Sequence, residues 1–365
     1  MCRQFSKKIL ISTNSSCNLK CIYCFEKHKG NNEFDVMEAV SVIGEMLTRK
    51  SEYGTKIKIH GGEPFLVFDK IKQLYEGLCR MNYPEYFEFH ITTNGSLIHR
   101  EIKDWLYKHK ERIRLKLSVD GDKPSSDINR PDSFEKIDFS FLLETWPELV
   151  ASMTITPQTL PSFCDNIKFM HSIGFKNIIF QLSLMTEWQK YHLQKEYYHQ
   201  LSLLVHYYLE NKHIAPCFHW LDIGKLLDNP KPLCGVGRMK AYDFQTKSYY
   251  PCQMCFPSAC GDKTSKELQE YNFTSADILA EGECASCPFV NLCITCYAEN
   301  YITRGSAARR DMNICSYQKI LFFAIFQYEY MRIIQKETPT GKDFKQMKAI
   351  QRFHESIAEF VNNIY

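Results

Sequence analysis

Residues 7–25, KKILISTNSSCNLKCIYCF, join an aliphatic run that reads as a β-strand to a loop with three thiols within eight positions. The spacing is Cys-x3-Cys-x2-Cys, at Cys17, Cys21 and Cys24. It lets one loop wrap three corners of a 4Fe–4S cube, which takes four ligands, usually thiolates. Three cysteines leave one iron open, and an open iron can hold a small molecule. Zinc also accepts three thiolates but needs a fourth ligand or serves as a catalytic site, and His28 is close enough in sequence to be that ligand. The loop by itself leaves both metals open.

Outward from this loop, residues 7 to 211 alternate between two periodicities. The runs KIKIH (56–60), EFHITT (88–93), RLKLSV (114–119), VASMTIT (150–156) and KNIIFQL (176–182) read as further strands, six with the first. Apolar residues at helical spacing fill 34–47, 71–78, 98–109, 134–143 and 167–173, and 188–209 after the last strand. Six successive β-then-α units predict a parallel sheet with right-handed crossovers. An open doubly wound sheet and a partial (β/α) barrel both fit, and both place functional groups at strand C-termini. The cysteine loop occupies the first of those ends.

The 365 residues, 44% hydrophobic and 24% charged, suffice for one large core and a smaller appendage. A net charge of +3 does not suggest a nucleic-acid binder, which would normally show a basic stripe. The opening MCRQFSKKIL lacks the apolar stretch of a signal peptide, and the apolar run at 320–326 is too short to span a bilayer. The expectation is a cytoplasmic protein with neither nucleic acid nor membrane as partner. In a reducing compartment, sixteen cysteines point to metal rather than disulfides. Cys2, Cys79, Cys164 and Cys217 are isolated and are expected to be buried small hydrophobes. The other twelve fall at 17–24 and 234–315. Residues 216–315 are rich in Cys, Pro and Gly and show little periodicity, so they are expected to need metal to fold. From 317 the pattern is helical again, broken at TPTGKD (338–343). The expected division is 1–215, 216–316 and 317–365.

Three short motifs follow the next three strands: GGEP (61–64), TTNG (92–95) and SVDG (118–121). Singly, such pairs usually mark turns. In this order beside Cys-x3-Cys-x-aromatic-Cys, they resemble the signature of the radical SAM superfamily. The resemblance implies an α/β fold: a partial (β/α)6 TIM-type barrel with a small cysteine-rich iron–sulfur domain and C-terminal helices. It implies that Cys17, Cys21 and Cys24 hold a 4Fe–4S cluster whose open iron chelates S-adenosylmethionine (SAM), with the protein positioning the cofactor that does the difficult chemistry. It also implies that Tyr23 lies against the adenine and that Gly61 and Gly62, lacking side chains, admit the methionyl amine. Glu63 would face that amine, while Thr93, Asn94, Ser118 and Asp120 would serve the ribose and carboxylate. Arg130, with paired donors, would clamp the carboxylate.

The second group, CASCPFVNLCITC (284–296), with Cys315 after it and Cys234 and Cys252 before, resembles the SPASM extension that carries two auxiliary clusters. By that resemblance Cys284, Cys287, Cys293 and Cys315 hold one cluster, and Cys234, Cys252 and Cys296 the other. Cys255 or Cys260 is the candidate fourth ligand of the latter, an open iron being the alternative. The chain departs from the family in having two residues, not three, between Cys293 and Cys296, and Lys247 where the family usually has Gly. A zinc ribbon is the competing reading.

The SPASM resemblance implies a peptide or protein substrate: a peptide maturase that abstracts hydrogen from a ribosomally made precursor and forms a crosslink or similar modification. It also implies an electron donor such as flavodoxin or ferredoxin. Strand one begins near Lys7, which leaves no room for an N-terminal leader-binding domain, so either a separate recognition protein or another surface of the enzyme is expected to recognise the leader. The alternative is an anaerobic sulfatase-maturing enzyme, which makes formylglycine. Those enzymes carry Asp in a Tyr-Pro-Cys-Asp stretch where YYPCQ places Gln253, and an amide cannot take a proton. A non-catalytic iron–sulfur or zinc scaffold is the remaining class. No general acid or base stands out beyond His219 and Asp222, and the aromatic stripe at 197–208 reads as core.

Overall fold

The computed structural model describes residues 5–219, 221–228, 234–273, 275 and 279–362. Strands β1 (Lys7–Ser12), β2 (Thr55–His60), β3 (Phe87–Thr93), β4 (Ile113–Ser118), β5 (Val150–Ile155) and β6 (Asn177–Leu182) fall on the six runs expected. Helices α1 (Val36–Leu47), α2 (Phe68–Arg80), α3 (Arg100–Lys108), α4 (Lys123–Asn129), α5 (Phe139–Thr145) and α6 (Phe163–Ser172) separate them, and α7 (Gln194–Glu210) follows β6. Beyond lie β7 (Lys240–Asp243), β8 (Ser248–Tyr250), α8 (Pro257–Cys260), α9 (Asp262–Glu270), α10 (Tyr297–Arg304), α11 (Cys315–Ile334) and α12 (Gly341–Asn362).

The chain divides into two compact units. One comprises Met1–Ser152, Ile173–Phe175 and Gly235–Thr274; the other comprises Met153–Ser172, Lys176–Cys234 and Ser275–Tyr365. In the first, the strand order is β5-β4-β3-β2-β1-β7-β8, with β5 entering through 150–152. All of these neighbours pair in parallel except β7 with β8. In the strand order β6 stands beside β5. The sheet is mostly parallel and does not close, which is the α/β partial-barrel architecture.

The reason lies in the period-2 pattern of the strands. Successive side chains point to opposite faces, and in KIKIH and RLKLS every second residue is aliphatic. Ile57, Ile59 and Leu117 are buried, while Lys58, His60, Lys116 and Ser118 between and beyond them stay part-exposed on the other face.

Three details depart from expectation. Segment 134–143 is not one helix: a short turn at Phe134–Lys136 gives way to α5, which starts where Asp138 accepts the Phe141 amide at 3.0 Å. Helix α4 was not anticipated; Asp122 caps it by accepting the Ser125 amide at 2.9 Å. The β7–β8 hairpin has four- and three-residue strands, too short for a period to show, yet it extends the sheet beside β1. Its Tyr242 hydroxyl donates to Glu38 on α1 at 2.7 Å.

In the second unit α7 lies against α11 through aromatic rings. Tyr317 is 5.2 Å from Trp188 and 5.7 Å from Tyr197, and Tyr197 and Tyr208 are buried, so the aromatic stripe is core. Helix α11 stops at Ile334 and α12 begins at Gly341, consistent with the expected break. Among the described residues no helix is long and apolar enough to cross a membrane.

Candidate active site

The cysteine loop leaves the end of β1 and is fastened by polar groups that motif reading passed over. Asn14 is the hub. Its side-chain amide donates to the Ser16 carbonyl at 2.8 Å and the Glu63 carbonyl at 3.1 Å, and its backbone carbonyl accepts from the Gly62 amide at 3.0 Å. The Glu63 amide donates to the Ser16 carbonyl at 2.9 Å. This close approach of two backbones explains the glycine pair. A Cβ on Gly62 would overlap the Ser16 carbonyl, and one on Gly61 would overlap the Asn14 side chain.

Glu63 is 1% exposed, so its carboxylate must be satisfied inside the protein. It accepts from the Thr93 hydroxyl at 2.7 Å, the Asn94 amide at 2.8 Å and the Phe65 amide at 3.2 Å. Burial pushes its pKa up, and the Asn94, Thr93 and Phe65 donors work against that rise. Asn94 in turn donates to Asn18 of the cysteine loop at 3.0 Å and accepts from the Ser96 amide at 2.9 Å, and Asn18 donates to the Ser96 hydroxyl at 2.8 Å. The GGEP and TTNG motifs are thus bound to each other and to the loop.

A second knot joins the SVDG motif. Asp120 is fully buried, accepting the Tyr23 hydroxyl at 2.6 Å and Arg130 Nε at 2.9 Å. The Arg130 guanidinium lies 5.2 Å over the Tyr23 ring, and its Nη1 is 3.7 Å from Cys21 Sγ. Burial opposes the charge on Arg130, but Asp120, Tyr23 and Cys21 outweigh it and hold the group firmly protonated. The Ile22 amide docks on the Asn129 carbonyl at the end of α4, at 3.1 Å. Ser118 ends β4 part-exposed.

The three thiols are part-exposed. Burial raises the pKa of Cys17, opposed by the Leu19 amide and Lys29, and raises that of Cys21, opposed chiefly by Arg130. Lys29 interacts with all three thiols, and that attraction outweighs its own burial to keep it protonated. Two cations beside three cysteines suit a thiolate-bound, negatively charged cluster. No spacing rule distinguished Lys29 in the sequence. His28 is exposed, with its backbone amide bonded to the Ser258 carbonyl at 3.0 Å. Among the described residues, no three His, Cys, Asp or Glu side chains gather closely enough to hold one ion.

The second cysteine group divides between the units: Cys252, Cys255 and Cys260 belong to the first and Cys234, Cys284, Cys287, Cys293, Cys296 and Cys315 to the second. In the first unit Cys252 Sγ and Cys255 Sγ are 3.7 Å apart. In the second, burial raises Cys284, Cys293 and Cys315, and each of these also interacts with Cys287. Arg310 beside them donates to the Cys293 and Val290 carbonyls at 3.3 Å each. Cys234 and Cys293 both interact with Tyr297, and Cys296 directly precedes α10 without a side-chain capping bond.

Of the isolated cysteines, Cys164 and Cys217 are buried as expected, and Cys2 lies outside the described residues. Cys79 is a correction: it is exposed, because it falls on the last turn of α2 away from the buried Leu74–Leu78 stripe. His219 is exposed, its Nδ1 at 2.8 Å from the Pro216 carbonyl. Asp222 caps the turn Ile223–Leu227 by accepting the Gly224 amide at 3.0 Å, a local structural task.

A three-thiol loop after β1 of an open parallel barrel, tied to polar groups at the ends of β2, β3 and β4, defines an enzyme class that binds its cofactor at strand C-termini. Residues 11–185 match the model of the radical SAM superfamily, so this part of the chain carries a radical SAM domain. An uncharacterized protein of Methanocaldococcus jannaschii is 29% identical over 185 residues, covering 48% of this chain and 62% of that protein. GTP 3′,8-cyclase of Clostridium perfringens is 28% identical over 174 residues, covering 46% of this chain and 52% of that enzyme. The chain thus spans between half and two thirds of the length of these relatives. Among solved structures, the sulfatase-maturing enzyme anSMEcpe with bound AdoMet is similar with a TM-score of 0.71 and 20% identity, covering 90% of this chain and 100% of that one. SuiB of Streptococcus suis bound to its precursor peptide SuiA is similar with a TM-score of 0.57 and 18% identity, covering 85% of this chain and 76% of that one.

Proposed function

We propose that this enzyme is a peptide maturase that uses SAM to abstract hydrogen from a residue of a precursor peptide and so installs a crosslink or related modification. The observation that carries this reading is the extent of the fold likeness. It runs over 90% of the chain against anSMEcpe, a protein also solved with the Cp18Cys peptide, and over 85% against SuiB with SuiA. The likeness to the GTP cyclase stops at 46% of the chain.

In this reading Cys17, Cys21 and Cys24 hold the 4Fe–4S cluster, with Lys29 and Arg130 offsetting its charge. When bound, the cluster and SAM supply the 5′-deoxyadenosyl radical that abstracts hydrogen. Gly61, Gly62 and Glu63 receive the methionyl amine; Thr93, Asn94 and Ser118 receive the ribose and carboxylate. Asp120 acts by fixing Tyr23 against the adenine and turning Arg130, whose Nε it occupies, so that the remaining guanidinium nitrogens face the cluster and the carboxylate. Residues 216–316 form a SPASM-like segment. There Cys284, Cys287, Cys293 and Cys315 hold one auxiliary cluster, and the SPASM resemblance assigns a second to the remaining cysteines of the segment. Electron supply comes from a flavodoxin or ferredoxin.

Sulfatase maturation is the second reading, favoured by the higher TM-score of anSMEcpe and opposed by Gln253. The test incubates reduced enzyme and SAM with a Cys-x-Pro-x-Arg peptide. The expected result is 5′-deoxyadenosine without loss of two hydrogens from that Cys. SAM- and reductant-dependent conversion to formylglycine would make sulfatase maturation the function. No SAM cleavage by cluster-loaded protein would favour a scaffold.

A further inference from the structure

We infer that Arg130 sets the reduction potential of the loop cluster, by donating a charge-assisted hydrogen bond to its Cys21 ligand, beyond any part it takes in holding SAM. The inference rests on the reading above in which Cys17, Cys21 and Cys24 hold that cluster. Its ground is which guanidinium nitrogens are already engaged. Nε donates to Asp120 Oδ2 at 2.9 Å, Nη1 donates to Cys21 Sγ at 3.7 Å, and the guanidinium carbon lies 5.2 Å over the Tyr23 ring. A carboxylate clamp uses two nitrogens of the group as a fork. Every fork that Arg130 could offer includes a nitrogen already bonded, so clamping SAM accounts for only part of this side chain.

The contact with Cys21 is held from several directions. Arg130 is 9% exposed and Asp120 fully buried, and the Oδ2 that accepts Nε also accepts the Tyr23 hydroxyl at 2.6 Å. The backbone is pinned as well: the amide of Ile22, next to Cys21, donates to the carbonyl of Asn129, next to Arg130, at 3.1 Å. The Arg130 amide closes α4 by donating to the Ser126 carbonyl at 2.6 Å. Backbone and side chain together fix the guanidinium against one particular thiol. Among the charged groups that act on Cys21, Arg130 has the largest influence. Lys29 acts on all three thiols, but it is exposed and water screens it.

Hydrogen bonds to the sulfur ligands, net charge and solvent exposure set the potential of an iron–sulfur centre. Uptake of one electron adds a negative charge that the ligand thiolates share, so a cationic donor at Cys21 stabilises the reduced form more than the oxidised one. Burial strengthens the effect, because a low dielectric screens it less. Arg130 thus eases acceptance of the incoming electron, and no bond is made or broken at the arginine.

The test is a potentiometric titration of full-length, anaerobically reconstituted protein without SAM, poised with dithionite and followed by electron paramagnetic resonance. The loop-cluster signal is the one missing from Cys17/Cys21/Cys24→Ala. Arg130→Gln is expected to lower the one-electron reduction constant of that signal at least about tenfold, a shift of about 59 mV to more negative potential. Arg130→Lys keeps a cation for Asp120 but lacks the planar fork that also reaches Cys21, so it should shift the potential in the same direction. Wild-type potentials in both variants, with only SAM binding weakened, overturn the inference and leave the cluster reading standing. A shift in Arg130→Gln with none in Arg130→Lys overturns the hydrogen bond in favour of bare charge. Loss of the loop iron from both variants also overturns it, since Arg130 would then serve assembly. Absence of the loop signal from wild-type protein overturns the cluster reading and the inference together.

Discussion

At Gly62 the consequence of a single methyl can be read from the surrounding atoms. The added Cβ would meet the Ser16 carbonyl, a backbone atom that cannot rotate away, and Cys17 Cβ at 3.0 Å behind it. Relief requires the cysteine loop to move off the end of β2, breaking the bonds from the Gly62 amide to Asn14 and from the Glu63 amide to Ser16. The strands do not depend on that contact, because Ile57 and Ile59 are held from the opposite face. Gly62→Ala should therefore keep the circular-dichroism spectrum of the wild type but assemble the loop cluster poorly and lower SAM cleavage at least about a hundredfold, the scale on which misplaced reacting groups act. Wild-type 5′-deoxyadenosine production by Gly62→Ala would show that the two backbones do not need this approach. Gly61 is constrained as well, since a Cβ there would meet the Asn14 side chain and, at 2.9 Å, the Asn14 backbone carbonyl.

Between elements, Asp343 shows how charge joins two helices. It is 2% exposed and accepts from Arg332 and Lys336 near the end of α11, and from the Thr340 amide and hydroxyl before α12, each at 2.7 Å. Burial pushes its pKa up, but Lys336, Thr340 and Arg332 outweigh that and hold the carboxyl well below the usual range. A carboxyl with a depressed folded-state pKa contributes stability that is present above the unfolded value, about 4, and is lost as pH falls through the folded one. Asp343→Ala should cost roughly 2–3 kcal/mol at pH 7, because it leaves two cations facing each other across the junction. The gap to wild type, measured by anaerobic urea unfolding, should narrow steadily below about pH 4. A gap that stays constant to pH 3 would mean the junction is held by packing instead. Sequence reading placed the break between these helices from TPTGKD but could not see its charge network, because Arg332 and Asp343 are eleven residues apart and belong to different elements. The same limit applies elsewhere. Six strands were legible because β-branched and aliphatic runs alternate with helical spacing. The β7–β8 hairpin was not, because three or four residues carry no period. Cys17, Cys21 and Cys24 announced themselves by spacing, whereas Asn14, Asn18 and Lys29 are common residues whose importance exists only in their contacts.

Across the whole molecule, the proposed function sets a metal content that can be counted. Three cubanes imply about 12 irons per chain, four for each. The thiols proposed for these centres differ in setting: Cys17, Cys21 and Cys24 sit on a loop fastened to strand ends, while Cys284, Cys287, Cys293 and Cys315 lie in a stretch whose only α-helix before α11 is the eight-residue α10. Removing the first set should leave the barrel folded, because its core is the aliphatic rows of β1–β4. Removing Cys284 and Cys287 should leave poorly soluble protein, because that stretch has little apolar periodicity to fold around other than its metal. The decisive measurement is on Cys17/Cys21/Cys24→Ala after anaerobic reconstitution. With two auxiliary clusters it should lose SAM cleavage and about a third of the iron, yet keep the broad thiolate-to-iron absorption near ~400 nm. A zinc ribbon predicts a colourless variant with zinc in elemental analysis, since a filled d shell gives no such band. A folded, colourless triple variant would remove the auxiliary clusters from the proposal while leaving the radical SAM domain untouched, because that domain rests on residues 11–185 alone.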